Sequence, residues 1–426
     1  MERNDPRYQA YVEILKEELI PAMGCTEPIA LAYAAAKARE VLGVLPDSVQ
    51  LQVSGSIIKN VKSVIVPNTG HLKGMEAAVA AGIIAGSAEK ELEVISEVSE
   101  EKKSAIRDYL QTVPITIEHT EQGHVFDIVV TERCGQDYAQ VRIADYHTNI
   151  CRIEKNGTVL YEVPLLDETV QEDARADRSL LNMQDIWDFA ETADLRDVAD
   201  LLERQIRYNN AIAEEGLLGD YGANIGRVLL TTYGNDVSNR AKAKAAAGSD
   251  ARMNGCELPV IINSGSGNQG ITCSVPLIEY AKELHSGKEK LYRALIISNL
   301  VAIHEKTGIG TLSAYCGAVS AGAGAGAGIV YLCGDGYQAA IHTVVNALAI
   351  VSGIVCDGAK ASCAAKIASS VDAALLGYNM YKCNQEFKGG DGIVMKDIET
   401  TIKGIGRLGK DGMRQTNEEI IRLMMS

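Results

Sequence analysis

Residues 309–334 read IGTLSAYCGAVSAGAGAGAGIVYLCG, and residues 337–356 form a second run without a charged side chain. Both runs exceed the ~18–20 residues that a membrane span needs. The first run, however, alternates Ala and Gly from 321 to 328 and has few of the large apolar residues that insertion rewards. The second run contains His342 and Asn346. We therefore predict two helices buried in a helical domain. A membrane hairpin and an anion-binding glycine loop are the alternatives, and the run matches no phosphate fingerprint.

The composition describes a globular protein with a large core. The 426 residues, at about 100–200 residues per domain, suggest two or three domains. Because 46% of the residues are hydrophobic and 23% are charged, disorder is excluded. The net charge of −15 argues against nucleic-acid and membrane partners, both of which require basic surfaces. Ten cysteines and an N-terminus without a signal-type apolar run indicate a cytoplasmic protein whose thiols are free, metal-bound or catalytic.

The texture of the sequence changes twice along the chain. Ala-rich helical periodicity dominates near the N-terminus and again from about residue 180, whereas short strand-like runs lie between them. We predict an α+β protein with a large, mainly helical domain (1–88 and 178–426) that holds the functional site. A small α+β domain with a linker (89–177) is inserted in it. The predicted strands are 50–53, 63–66, 92–98, 115–119, 125–131, 140–144, 150–153 and 159–163, with a helix at 100–110.

Three cysteines differ from the other seven in their surroundings. Cys316 precedes the Ala/Gly run, and Cys356 and Cys363 follow the second run, which gives the spacing C-x39-C-x6-C. Thiolates at the ends of buried helices in a Gly/Ala-rich pocket suit a soft metal centre. The alternative is that each is a small buried hydrophobic residue, as free cysteines often are.

Three further motifs, at 22–28 (AMGCTEP), 66–74 (VPNTGHLKG) and 263–270 (NSGSGNQG), join this cysteine pattern. Together they resemble the L-cysteine desulfidase family, which is related to the α part of bacterial iron–sulfur L-serine dehydratases. The resemblance implies that Cys316, Cys356 and Cys363 hold a 4Fe–4S cluster with one open iron. It also implies that Cys25 is the base, able to reach that iron when substrate is absent. The last two ligands are further apart in serine dehydratases, which favours the desulfidase branch.

The function that the resemblance implies is β-elimination by a lyase, which converts L-cysteine to pyruvate, ammonia and hydrogen sulfide. An open iron is a Lewis acid for the leaving group. We expect a Cys25 thiol placed before a helix to have a lowered pKa and to act as base. L-serine dehydratase is the first alternative. A redox sensor without enzymatic activity is the second, and Cys25 separates the two classes because a sensor needs no proton-abstracting thiol.

Two loops are candidates for holding a small amino-acid substrate. The loop with Ser264, Gly265, Ser266 and Asn268 offers backbone N–H groups and short polar side chains that suit a carboxylate. Thr69 and Lys73 lie in the second loop, where Lys73 is expected to pair with the carboxylate. The alternatives are an ordinary Gly/Ser/Asn connection and a solvated lysine. Gly/Ala-rich helices pack equally well within one subunit or between two, so a homodimer is a candidate assembly.

Overall fold

The structure, a computed structural model, describes residues 1–120, 124–165, 176–310 and 313–425. It is mainly helical with one six-stranded sheet, so the predicted α+β class is confirmed. The predicted linker lies largely outside the described residues. The helices are α1 (Pro6–Glu18), α2 (Thr26–Leu42), α3 (Gly55–Val61), α4 (Gly74–Ala85), α5 (Glu100–Thr112), α6 (Met183–Thr192), α7 (Ala199–Leu218), α8 (Ile225–Tyr233), α9 (Val237–Met253), α10 (Gly267–Glu283), α11 (Lys288–Ile309), α12 (Gly317–Cys333), α13 (Tyr337–Val351), α14 (Ser362–Lys382), α15 (Ile398–Arg407) and α16 (Arg414–Met425). The strands are β1 (Pro21–Met23), β2 (Ser48–Ser54), β3 (Ile115–Thr120), β4 (Asp127–Cys134), β5 (Asp137–Ala144), β6 (Ile150–Lys155), β7 (Thr158–Glu162) and β8 (Pro259–Ile261).

Helix α12, the Ala/Gly run, is the centre of the helical part. It packs against α10, α11, α13 and α14, and its residues from Ala318 to Val330 are buried. A Cβ atom on Gly324 would lie 2.4 Å from the carbonyl oxygen of Ser298 in α11, and one on Gly328 would lie 2.5 Å from Leu277 in α10. The glycines therefore allow helix axes to approach closely, and this packing offsets their low helix propensity.

The two uncharged runs form α12 and α13, as the buried-helix interpretation predicts. Within the described ranges, no helix is long and apolar enough to cross a membrane. The chain turns between these helices at Gly334, whose φ of 87° is a left-handed conformation that suits glycine. This antiparallel pair brings Cys316, at the start of α12, close to the chain that follows α13.

The sheet has the strand order β3-β2-β4-β5-β6-β7, and with α5 we call it the α+β module. Strand β2 pairs parallel with β3 and antiparallel with β4. A strand from within the first 88 residues therefore lies inside this sheet, beside strands of the predicted insertion. The predicted hairpin near the C-terminal end of the module is confirmed: β6 and β7 pair antiparallel across Asn156 and Gly157, both with positive φ.

The strand predicted at 92–98 is wrong. Residues 88–93 form a 3-10 helix, and the segment after it is irregular. Leu92 and Ile95 are buried, which explains the strand-like pattern, but the Asn68 side-chain amide donates to the carbonyl oxygens of Ile95 (2.8 Å) and Ser96 (3.3 Å) in place of a neighbouring strand. The strand predicted at 63–66 is likewise reduced to one bridge between Ile65 and Lys73.

A second, two-stranded sheet links the N-terminus to the middle of the chain. Strand β1 pairs antiparallel with β8, with Pro21 opposite Ile261 and Met23 opposite Pro259. The 22–28 motif begins within β1 and continues beyond it, and the 263–270 motif follows β8. This pairing brings the two loops, separated by more than 200 residues in sequence, to one place in the fold.

Candidate active site

Cys316 and Cys356 are held side by side by a short antiparallel bridge. Tyr315 pairs with Val355, the Cys316 amide donates to the Ile354 carbonyl oxygen (3.2 Å), and the Cys356 amide donates to the Ala314 carbonyl oxygen (2.6 Å). Cys316 is the N-cap residue of α12. Burial raises the pKa of Cys316 to about 12, and the neighbouring Cys356 adds to the effect. Two thiols 40 positions apart therefore share one small volume.

Cys363 joins this pair from the first turn of α14. Its Sγ lies 3.6 Å from the Gly358 carbonyl oxygen, inside the loop that begins at Cys356. Gly358 has a φ of +91°, and a Cβ there would lie 2.1 Å from the Lys59 carbonyl oxygen, so the loop presses directly on α3. Burial and, to a smaller extent, the charge of Cys356 raise the pKa of Cys363. The three thiols are therefore close enough to interact electrostatically.

Positive charge surrounds these thiols. Burial lowers the pKa of Lys306 to about 8, and the charges of Cys356 and Cys316 act in the opposite direction. Burial also lowers the pKa of Lys59, whereas the charges of Cys356 and Cys316 raise it. Lys366 donates to the Val355 carbonyl oxygen (2.9 Å) and lies in electrostatic range of Cys316 and Cys363. Such cations stabilise thiolates, the form in which cysteine binds metal.

The three thiols do not form a single-ion site in the described structure. Among the described residues, no group of three or more His, Cys, Asp or Glu side chains is close enough to hold one metal ion. A zinc ion needs its thiolates about 2.3 Å from one point, whereas an iron–sulfur cluster distributes them over several irons. Beside Cys316, Gly317 packs against Gln269, whose buried Oε1 has no hydrogen-bond partner. The three cysteines, with the lysines beside them, are the residues that would hold the predicted group.

Cys25 reaches the same region from the N-terminal motif. It is the N-cap residue of α2 and is buried. Gly24 has a φ of +58°, and a Cβ there would lie 2.3 Å from Pro67, which ties this loop to the 66–74 motif. The Thr26 hydroxyl donates to the Gly265 carbonyl oxygen (3.1 Å), which ties it to the 263–270 motif. On α3, Asn60 donates to Glu27 (3.0 Å), and the carbonyl oxygen of the neighbouring Lys59 lies against Gly358, in the loop between Cys356 and Cys363. Helix α3 thus connects the Cys25 segment to the loop of the three-cysteine group.

Glu27 is the immediate partner of Cys25. The Cys25 thiol donates to Glu27 Oε2 (3.4 Å), and the Asn60 amide donates to Oε1 (3.0 Å). Burial and the Glu27 charge raise the pKa of Cys25 well above its usual range. This direction contradicts the lowered pKa expected from its place before a helix, because desolvation and an adjacent carboxylate outweigh the dipole of α2. At rest, Cys25 is a thiol.

The α+β module contributes His147, which lies between β5 and β6. Its ring meets Phe126 edge-on at 4.7 Å between centroids, and its buried Nε2 has no hydrogen-bond partner among the residues that the structure describes. Nε2 lies 3.9 Å from Glu27 Oε1. Burial alone would raise the pKa of Glu27, but proximity to His147, with a smaller contribution from Arg252, lowers it to about 2. The sequence does not mark His147 as functional, since its relation to Glu27 arises only from the packing of the module on α2.

Arg252, near the end of α9, is the second site residue that no sequence motif reveals. It is 3% exposed, and its Nη1 donates to Asn268 Oδ1 (3.2 Å). A Cβ on Gly267 would lie 2.3 Å from its Nε. The sequence offers one indication. Helix α9 is Ala-rich and has few large apolar residues, so it lacks the apolar face of an ordinary half-buried helix, and Arg252 lies in it.

The predicted substrate-binding residues lie in two loops and differ in their burial and hydrogen bonds. Ser264 has a φ of +49° and donates to Asn263 Oδ1 (2.9 Å), and Ser266 is the N-cap residue of α10. The Gly265 carbonyl oxygen accepts from Thr26, and Asn268 Oδ1 accepts from Arg252, as described above.

Thr69 is fully buried and donates to the Val66 carbonyl oxygen (2.7 Å) within its own loop. Lys73 is exposed at the start of α4. The 263–270 loop is thus joined to Cys25, and a substrate role for Thr69 and Lys73 stays a prediction.

The profile of the serine dehydratase alpha chain family matches residues 89–422. The chain belongs to this family. Serine dehydratase alpha chains are lyases associated with iron–sulfur clusters. The matched range includes Cys316, Cys356, Cys363 and the 263–270 loop, whereas Cys25 and Glu27 precede it.

Relatives of this chain match it over nearly its whole length. A UPF0597 protein of Desulfitobacterium hafniense (strain Y51) is 61% identical over 426 residues, covering 100% of this chain and 99% of its own. One from Lachnoclostridium phytofermentans is 52% identical and covers 98% of this chain and 100% of its own. One from Clostridium perfringens (strain SM101 / Type A) is 37% identical over 98% of both. The N-terminal segment that carries Cys25 is therefore part of the region shared with these relatives.

Proposed function

We propose that this protein is an iron–sulfur-dependent L-cysteine desulfidase, which eliminates hydrogen sulfide from L-cysteine. The observation that carries the proposal is that α3 connects Cys25, a buried thiol before a helix, to the three-cysteine group: Asn60 donates to Glu27, and the Lys59 carbonyl oxygen lies against Gly358. Cys316, Cys356 and Cys363 would hold a 4Fe–4S cluster. When bound, that cluster supplies a Lewis-acidic iron for the leaving group.

The role of Cys25 is to take the α-proton of the substrate. Its own proton must leave first, and Glu27 Oε2, at 3.4 Å, is the adjacent acceptor. The substrate brings an ammonium group, and a cation beside a thiol lowers its pKa. Asn60 holds Glu27 in place through its side-chain amide. Substrate entry thus favours the thiolate that the resting site disfavours.

The elimination balances without an external oxidant or reductant. Cys25 removes the α-proton, the electrons of that C–H bond form the Cα–Cβ double bond, and the Cβ–S bond breaks to release hydrosulfide. The 2-aminoacrylate that remains tautomerises to an imine, and water hydrolyses the imine to pyruvate and ammonia. Burial of Cys25 and Glu27 keeps bulk water away from the developing carbanion.

L-Serine is the second candidate substrate, because the family match is to serine dehydratase alpha chains. Hydroxide and hydrosulfide leave from the same carbon, so the same residues would serve both reactions. In a redox sensor, by contrast, a buried thiol–carboxylate pair and a buried arginine beside the cysteines would have no role.

Anaerobic purification followed by iron and sulfide quantitation, with pyruvate and sulfide assays on L-cysteine and L-serine in parallel, tests the proposal. We expect about four irons per chain and sulfide release from L-cysteine. Turnover of L-serine alone would make the protein a dehydratase. Reconstituted protein with neither bound iron nor turnover would refute both assignments.

A further inference from the structure

Arg252 carries a buried positive charge for which the described residues provide no counter-ion. Its side chain is 3% exposed, and no described carboxylate oxygen lies within 4.0 Å of it. Its one side-chain hydrogen bond, from Nη1, goes to the neutral amide of Asn268. Nε is buried and has no partner. Burying an unpaired charge is strongly unfavourable, so a site of this kind is built for an anionic partner.

The free edge of the guanidinium has a defined geometry. Nε and Nη2 lie on the same side of the planar group, opposite the Nη1 that Asn268 engages, and two parallel N–H donors match the two oxygens of a carboxylate. Asn268 fixes the rotation of the plane. Gly267 packs directly against this side chain: a Cβ there would lie 2.3 Å from Nε, so a larger residue would collide with the guanidinium.

Arg252 is also electrostatically connected to the proposed base. Its charge lowers the pKa of Cys25 and of Glu27, although burial dominates for both groups. Glu27 itself is engaged by Cys25, Thr26 and Asn60. Glu27 therefore does not neutralise Arg252 by direct contact.

We propose that Arg252 binds the α-carboxylate of the amino-acid substrate through its Nε–Nη2 edge, with Asn268 as the residue that orients it. This inference rests on the proposed function, because it names the group that recognises that substrate. Pairing the carboxylate with a guanidinium also reduces the negative charge next to the carbon that loses its proton, which makes the α-proton more acidic. The site then requires a free carboxylate, so amides, esters and decarboxylated analogues are poor ligands.

L-Alanine and L-alaninamide are suitable probes, because neither can undergo the elimination and only L-alanine has a carboxylate. Their binding to the iron-loaded protein is measured by calorimetry and by the shift of the thermal unfolding midpoint at saturating ligand. The variants are Arg252→Gln, which removes the charge, and Arg252→Lys, which keeps the charge without the fork. Arg204→Gln is the matched control, since Arg204 also has a buried Nε without a partner but lies on α7, in a surface groove with Arg196 and Arg207.

We expect the wild type and Arg204→Gln to bind L-alanine more tightly than L-alaninamide. Arg252→Gln should bind L-alanine about 100-fold more weakly and lose the discrimination, with L-alaninamide binding unchanged. Arg252→Lys should fall between them. The proposal is overturned if the wild type does not prefer L-alanine, or if Arg252→Gln keeps the preference. If Arg252→Gln does not fold, Arg252→Met takes its place, and undiminished discrimination by that uncharged variant overturns the proposal.

The two proposals fail in different ways. If L-alanine discrimination depends on Arg252 but neither L-cysteine nor L-serine is turned over, the carboxylate site stands and the lyase assignment falls. If L-cysteine is turned over but Arg252→Gln discriminates as the wild type does, the lyase stands and the carboxylate is bound elsewhere.

Discussion

Nε2 of His147 lies 3.9 Å from Oε1 of Glu27, although 120 positions separate the two residues in sequence. His147 belongs to the α+β module, and Glu27 belongs to the first turn of α2. The contact means that the module supplies part of the candidate active site. Gly265, from the third motif, lies against the same imidazole: a Cβ there would be 3.3 Å from its Cε1.

His147→Gln should lower kcat/KM for L-cysteine by about 10- to 100-fold, because the charge of Glu27 is then less well compensated and oriented. The iron content should not change, since His147 is not among the proposed ligands. His119→Gln is the matched control, an exposed histidine of the same module on the edge strand β3. Steady-state kinetics with iron quantitation distinguish the two. Equal kinetics for both variants would remove His147 from the site.

Cys25→Ser should retain the cluster and lose turnover by about a thousandfold, because a serine hydroxyl is a far weaker base than a thiolate. Cys383→Ser, at an exposed cysteine after α14, should behave as the wild type. Absorption of the anaerobic protein near 400 nm reports the cluster, and pyruvate formation reports turnover. Full activity in Cys25→Ser would exclude Cys25 as the base.

Cys316→Ala should abolish iron binding, because the site would lose one of its three proposed thiolate ligands. Cys256→Ala, at a buried cysteine outside the three-cysteine group, should keep the iron content of the wild type. Iron and sulfide are quantified after anaerobic reconstitution of both variants. The ligand assignment cannot stand if Cys316→Ala and the wild type contain the same amount of iron.

Gly324→Ala should destabilise the protein by about 2 kcal/mol, because overpacking outweighs the gain in helix propensity. The new Cβ would lie 2.4 Å from the backbone oxygen of Ser298, which cannot move without shifting α11. Gly353→Ala, at a position with open space around it, is the control and should change stability little. Urea unfolding followed by far-UV circular dichroism measures both. A neutral Gly324→Ala would show that α12 is not closely packed there.

The stability of the protein should depend on pH through Asp250. Burial raises the pKa of Asp250 to about 6, and its Oδ2 accepts from the Ile225 amide (2.7 Å) at the start of α8. An acid with a raised pKa binds more protons in the folded state, so stability falls as pH rises through 6. Between pH 5.5 and 7.5 the wild type should lose about 1 kcal/mol relative to Asp250→Asn. Urea unfolding of both proteins at these pH values checks it, and parallel curves would contradict it.

Much of the fold and part of the site follow from local pattern. Uncharged, glycine-rich runs predict buried helices, and the turn at Asn156 predicts the β6–β7 hairpin. The strand predicted around Ile95 failed because a side chain far along the sequence, Asn68, takes over its carbonyl oxygens. Motifs in the sequence single out Cys25 and the three clustered cysteines, and their roles stay predictions.

His147 and Arg252 could not be found in the same way. Each is an isolated polar residue in an unremarkable stretch, and its role depends on which element packs against it. The pKa of Cys25 was predicted in the wrong direction for a similar reason. The helix that follows Cys25 is visible in sequence, whereas its burial and the orientation of the Glu27 carboxylate are set by tertiary packing.

The glycine faces of α12 have a mechanical consequence. Where Gly322 and Gly324 meet Ser370 and Ser298, the nearest atoms include the backbone of those residues, which no side-chain rotation can move away. At these points a displacement of α12 must be shared with α14 and α11. Cys316 stands at the tip of that helix. Its sulfur is therefore positioned by the packed core, while Cys25 and His147 lie in connecting segments outside the helices.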